Sequence, residues 1–188
     1  MPKTWNNLGG TYLRQKRLVE ALTQALPAYS RGLPATVPPI KIEAAVATAA
    51  LDRGPLPEDL AAAFVGRGTW ATIDVGGFGH AWIDLERLEG RIVLHPRLAE
   101  RPDLVRSRLL DTVLLNLLIA SGFGMLHATC LLRGGTALLV LGDHGSGKTT
   151  TALHAIESGR FDLVTDSMVF VDADPTGRPQ LHGFPSVV

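Results

Sequence analysis

The chain has 188 residues, 46% of them hydrophobic and 19% charged. That balance excludes a disordered polar chain and suffices for one large domain or two small ones with a sizeable core. Lys plus Arg and Asp plus Glu each number 18, so the formal net charge is zero, and neither nucleic acid nor an anionic membrane is favoured as the main partner.

Residues 1–10 show no periodicity. Tyr12 to Leu26 predicts a helix, with Leu18, Leu22, Ala25 and Leu26 on one face and Arg14, Arg17 and Gln24 elsewhere. Pro27, Pro34, Pro38 and Pro39 then mark a linker or extended loop. Ile40 to Val46 alternates apolar residues with Lys41 and Glu43, as a half-buried strand does. Pro57 to Val65 predicts a short helix, with proline near its first turn and Glu58 and Asp59 at its positive end. Thr69 to Val75 and His80 to Leu85 predict a hairpin closed by Gly76, Gly77, Phe78 and Gly79, and Arg91 to Leu94 a third strand.

Asp103 to Ala120 is apolar at most positions and predicts a helix packed in the middle of a domain. The most apolar window, Leu109 to Leu126, contains Asp111 and Asn116 and is broken by Gly122 and Gly124, which favours a buried helix over a membrane span. No signal-peptide layout opens the chain. A single cysteine, Cys130, cannot form an internal disulfide and fits a reducing cytoplasm; its apolar neighbours suggest a buried structural thiol. Met125 to Leu132 and Thr136 to Leu141 flank Gly134 and Gly135, a second hairpin signature.

The second strand of that hairpin leads into the most informative stretch. Ala137 to Leu141 has the length of a buried strand, and Gly142 to Thr149 reads GDHGSGKT, the G-x-x-x-x-G-K-[ST] pattern of a P-loop. Glycines allow successive backbone N–H groups to turn inward around phosphate oxygens, and the following helix points its positive end at the same anion. Thr150 to Ser158 predicts that helix, closed by Gly159. Gly142, Asp143, His144, Gly145, Ser146, Gly147, Lys148, Thr149 and Thr150 are thus the candidate nucleotide-binding residues. Lys148 suits the terminal phosphates, and the Thr149 hydroxyl suits Mg²⁺. Phe161 to Asp166 predicts a short strand ending in a carboxylate, where a metal-bridged phosphate would find an acidic ligand. Met168 to Val171 is another apolar run, Asp172 to Gly177 a turn, and Val187 and Val188 close the sequence.

From Leu126 to Asp172 the chain resembles the HPr serine kinase/phosphorylase family. The matching residues run in the same order: His127 and Ala128, Gly142 and Asp143, Gly145 to Lys148, Ala152 and Leu153, Gly159, and Leu163 to Asp166. His95 to Leu98, followed by a long apolar helix, is similar to HPr-kinase-related proteins. The resemblance implies an α/β fold with a mixed sheet and a phosphoenolpyruvate-carboxykinase-like P-loop core. It implies ATP and Mg²⁺ as cofactors and γ-phosphoryl transfer to a serine-type hydroxyl. Lys148 and Asp166 would be catalytic, with Thr149 and Asp166 on the metal.

On this basis 1–102 is expected to be an antiparallel α+β region and 103–188 the nucleotide-binding core, incomplete at its C-terminus. Ser167 stands where the family has a second acidic residue, and Thr150 where bifunctional members carry Glu. The family also continues past the equivalent of Val188. The acceptor, a protein, peptide or small molecule, is not named by the sequence, and an uncovered sheet edge near the C-terminus would favour homo-oligomers. A truncated, non-catalytic nucleotide-binding module is the rival expectation.

Overall fold

The computed structural model describes residues 39–47 and 54–184. The helix expected over 12–26, most of the proline-rich linker and the two C-terminal valines lie outside them. The protein is mixed α/β with several small sheets. Described residues up to Ser121 form one compact unit, and those from Gly122 onward a second.

In the first unit, β1 (Lys41–Val46), β2 (Ala62–Arg67), β3 (Trp70–Val75), β4 (Gly79–Asp84) and β5 (Glu89–Leu94) form one sheet in the order β1-β5-β4-β3-β2. Neighbours are antiparallel except β1, which runs parallel to β5. The expected hairpin and third strand are present. The helix expected over Pro57 to Val65 is not, because Ala62–Arg67 forms a strand with six couples to β3. Proline and the two acids before it occupy an extended segment and turn, and Leu60 is buried beside Gly76. Cross-strand pairing has overridden a helix-start signature that was only local.

The helical segment that follows has three parts after the short α1 (Pro96–Ala99): α2 (Pro102–Val105), a π-helical turn (Arg106–Leu110) and α3 (Asp111–Ala120). The wider turn lifts Arg106 over Asp111, five residues on, with Nε 3.5 Å from the carboxylate. Val105, Leu109, Val113 and Leu117 are buried, and the segment packs on β3, β4 and β5. It therefore groups with the strands before it, not with the glycine-loop region after it. Gly90 permits the close approach, since a Cβ there would lie 2.7 Å from Val113 Cγ1.

In the second unit, β8 (Thr136–Leu141), β7 (Ala128–Arg133) and β9 (Asp162–Thr165) form an antiparallel sheet in that order. A second sheet orders β11 (Pro179–Gly183), β10 (Val169–Ala173) and β6 (Gly124–Leu126). The two sheets meet through Ala128, Cys130 and Leu139 on one side and Val169, Val171 and Leu181 on the other. Helix α4 (Lys148–Glu157) packs on β7, β8 and β9.

The hairpin around Gly134 and Gly135 forms as expected, so the strand entering the glycine loop is antiparallel to its predecessor. Three details differ. The strand expected over Met125 to Leu132 breaks at His127, and its halves join different sheets. The run Ala137 to Leu141 is not buried: β8 lies at the end of its sheet, with Leu138 48% and Leu141 62% exposed. The turn after β10 starts at Asp174, because Asp172 still pairs with Gln180 of a strand, β11, that the sequence did not reveal.

Candidate functional site

Strand β8 ends at Leu141 and α4 begins at Lys148, so the glycine loop spans a strand-to-helix connection. The sequence dictates its tightness. A Cβ at residue 142 would stand 2.5 Å from Ser146 Oγ, so a side chain there would displace Ser146. The Ser146 N–H donates to the Asp143 carbonyl at 3.1 Å. Gly147 caps α4 with φ 86°, a left-handed conformation natural to glycine. No side chain caps this helix end and no acid lies in its first turn, so its positive end keeps its pull on an anion.

Lys148 lies folded over the loop, its Nζ donating to the carbonyls of Gly142 at 2.8 Å and Asp143 at 2.9 Å. Asp143, His144, Gly145, Ser146, Thr149 and Thr150 are exposed. One residue past Lys148, the Thr149 hydroxyl donates to Asp166 Oδ2 at 2.9 Å. Asp166 follows directly on β9, and the Thr129 hydroxyl of β7 donates to its Oδ1. Ser167 then takes a left-handed φ of 85°, uncommon for a residue with a Cβ. That turn is pinned by the Thr165 hydroxyl, which donates to the Phe184 carbonyl at 2.8 Å and faces that of Met168 at 3.2 Å.

The structure thus brings Thr149, the chain neighbour of Lys148, together with Asp166 and adds Thr129, which no motif covers. A signal for Thr129 existed: a threonine between Ala128 and Cys130 in a buried strand needs a hydrogen-bond partner. Other polar candidates are occupied elsewhere. Asp172 holds His182 Nε2 at 2.8 Å, and Asp174 accepts from its own turn. His80 faces Asp74, and His95 Nδ1 accepts from the Arg97 N–H. His127 is exposed between β6 and β7. Cys130 is buried, and that burial pushes its thiol up and away from thiolate chemistry.

Among the described residues no three or more His, Cys, Asp or Glu converge as a metal cage. A hydroxyl beside a single carboxylate fits a different demand. Mg²⁺ takes one or two protein oxygens and completes its shell with water and phosphate. No helix among the described residues is long and apolar enough to cross a membrane. Comparison with known protein families, curated proteins and solved structures found no match.

Proposed function

We propose that the second unit is a phosphoenolpyruvate-carboxykinase-like P-loop core that binds ATP with Mg²⁺ and transfers the γ-phosphoryl group to a serine-type hydroxyl, as an HPr-kinase-like phosphotransferase. The observation that carries this is the Thr149–Asp166 hydrogen bond at the mouth of the glycine loop. It sets a hydroxyl and a carboxylate side by side where the loop would present the phosphates.

Each group then has a task. Backbone N–H groups of the loop and of the α4 N-terminus receive phosphate oxygens. Lys148 exchanges two carbonyls for the terminal phosphates, replacing neutral acceptors with charged ones. Mg²⁺, when bound, supplies charge neutralisation across the phosphates. Thr149 can keep its proton on Asp166 while offering an oxygen lone pair to the ion. Asp166 either ligates that ion or takes the proton from the acceptor hydroxyl. The acceptor is a protein, a peptide or a small molecule, and the single buried thiol suits a reducing cytoplasm.

A second reading, a nucleotide-binding module without turnover, is favoured by Ser167, a hydroxyl where the resembling family has its second carboxylate. Single-turnover loss of γ-phosphate from labelled ATP, with serine peptides as acceptors, separates the two. Transfer to an acceptor supports the kinase. Calorimetric binding of ATP without any turnover supports the module, and absence of both removes the nucleotide site.

A further inference from the structure

We propose that Thr129 is a positioning residue that orients the Asp166 carboxylate toward Thr149 and the Mg²⁺ of a bound nucleotide. This rests on the function proposed above and adds to it a residue from outside the glycine loop and the acidic strand end.

The case begins with register. Cys130 pairs with Thr165, and Leu131 with Leu163, so Val164 is an extra residue and β9 carries a bulge. One step past the Cys130–Thr165 couple, Asp166 falls opposite Thr129. Without the bulge Asp166 would fall opposite Ala128, whose side chain belongs to the apolar cluster between the two sheets. A one-residue shift exchanges the faces of a strand, so the bulge turns the carboxylate away from that cluster and toward α4.

Thr129 meets it there. Its side chain is fully buried, and its hydroxyl donates to Oδ1. Thr149, on α4, donates to Oδ2. The carboxylate is thereby held at both oxygens by donors on two different elements, which restricts its rotation. Thr129 is buried in the strand while Thr149 is exposed at the helix start, so Thr129 acts through Asp166 and not on a ligand.

The test is a Mg²⁺ titration of ADP binding by calorimetry, on the full chain and its variants. Thr129→Val removes the donor at similar size. It is expected to raise the half-saturating Mg²⁺ concentration about tenfold, the scale of one hydrogen bond to a charged group. Affinity for ADP without Mg²⁺ should stay within about twofold, because the loop amides and Lys148 are untouched. Thr129→Ser retains the hydroxyl and is expected to behave as wild type. In an Asp166→Asn background, Thr129→Val should add nothing. If Thr129→Val does not fold, Thr129→Cys takes its place, since a thiol is only a weak donor.

A half-saturating Mg²⁺ concentration unchanged by the donor-less variant overturns the proposal. So does an equal rise with and without the Asp166 charge, which would mark a general packing defect. A wild type that binds no ADP at all is a separate outcome; it removes the proposed function, and this inference with it.

Discussion

Asp84 closes β4 in the first unit, and Asp166 follows β9 in the second, yet their carboxylates are satisfied from different distances along the chain. Asp84 is 7% exposed and accepts the N–H groups of Glu86 and Arg87, two and three residues on, at 3.1 and 3.0 Å. Asp166 accepts hydroxyls from Thr149 and Thr129, 17 and 37 residues away. A carboxylate answered by its own turn stabilises that turn. One held by donors on a separate helix and strand fixes a charge between those two elements. The second pattern is the one the proposed phosphate-and-metal site would use.

Asp166→Asn should break this contrast most strongly. Size and one acceptor oxygen survive, while the charge and the basic lone pair are lost. Phosphoryl transfer is expected to fall by about 10²- to 10⁴-fold, the range for losing a general base or comparable charge stabilisation. Thermal stability should change little, and single-turnover kinetics beside a melting curve measure both. Equal turnover by the two proteins would move the catalytic carboxylate elsewhere.

Lys148→Ala comes next. Its two bonds to loop carbonyls are exposed and easily replaced by water. Its contribution should therefore appear in ligand binding: ATP affinity drops by about tenfold or more, since a charge-assisted hydrogen bond is worth about 1.5–3 kcal/mol. Unchanged affinity by calorimetry would remove the nucleotide-loop assignment.

Asp84→Ala inverts the pattern. Two N–H groups, on the exposed Glu86 and Arg87, lose a charged acceptor, so the first unit should lose about 1–3 kcal/mol of stability. Nucleotide binding should be untouched, provided it is measured well below the lowered melting temperature. A change in ATP affinity would show that the two carboxylates do not divide their roles this way.

The same division explains what the sequence could disclose. Hairpins around Gly76 to Gly79 and around Gly134 and Gly135 were legible because turn chemistry and alternation are local. So was the glycine loop with its helix, whose residues are contiguous. The misread segments depended on distant partners. Ala62–Arg67 became a strand through pairing with β3, against a helix-start signature immediately before it. Exposure of Leu138 and Leu141 follows from the place of β8 in its sheet, which no periodicity within five residues reports. The partner of Thr129 was hidden for the same reason: its meeting with Asp166 depends on a bulge at Val164, and a bulge leaves no mark in hydrophobic pattern.

The smallest effect should come from Asp174, a locally satisfied carboxylate inside the unit that holds the candidate site. Its Oδ1 accepts from the Thr176 hydroxyl at 2.6 Å, the Thr176 N–H at 2.8 Å and the Arg178 N–H at 3.0 Å. The Thr176 hydroxyl, and after it the Arg178 N–H, hold its carboxyl below the ordinary range. A carboxylate whose pKa is depressed by folding adds stability above its unfolded pKa and loses it as pH falls through the folded one. The wild-type turn should therefore be tightest at neutral pH and loosen on acidification below the ordinary carboxylate range. Asp174→Asn keeps an acceptor at Oδ1 but has no charge to titrate. Urea midpoints of the two proteins should differ slightly at neutral pH and converge as the pH is lowered, because protonation brings the wild type to the variant's neutral state. ATP binding should be the same for both. If Asp174→Asn instead weakened ATP binding, proximity to the site within one unit, and not the sequence distance of its hydrogen-bond partners, would be what marks a functional carboxylate in this chain.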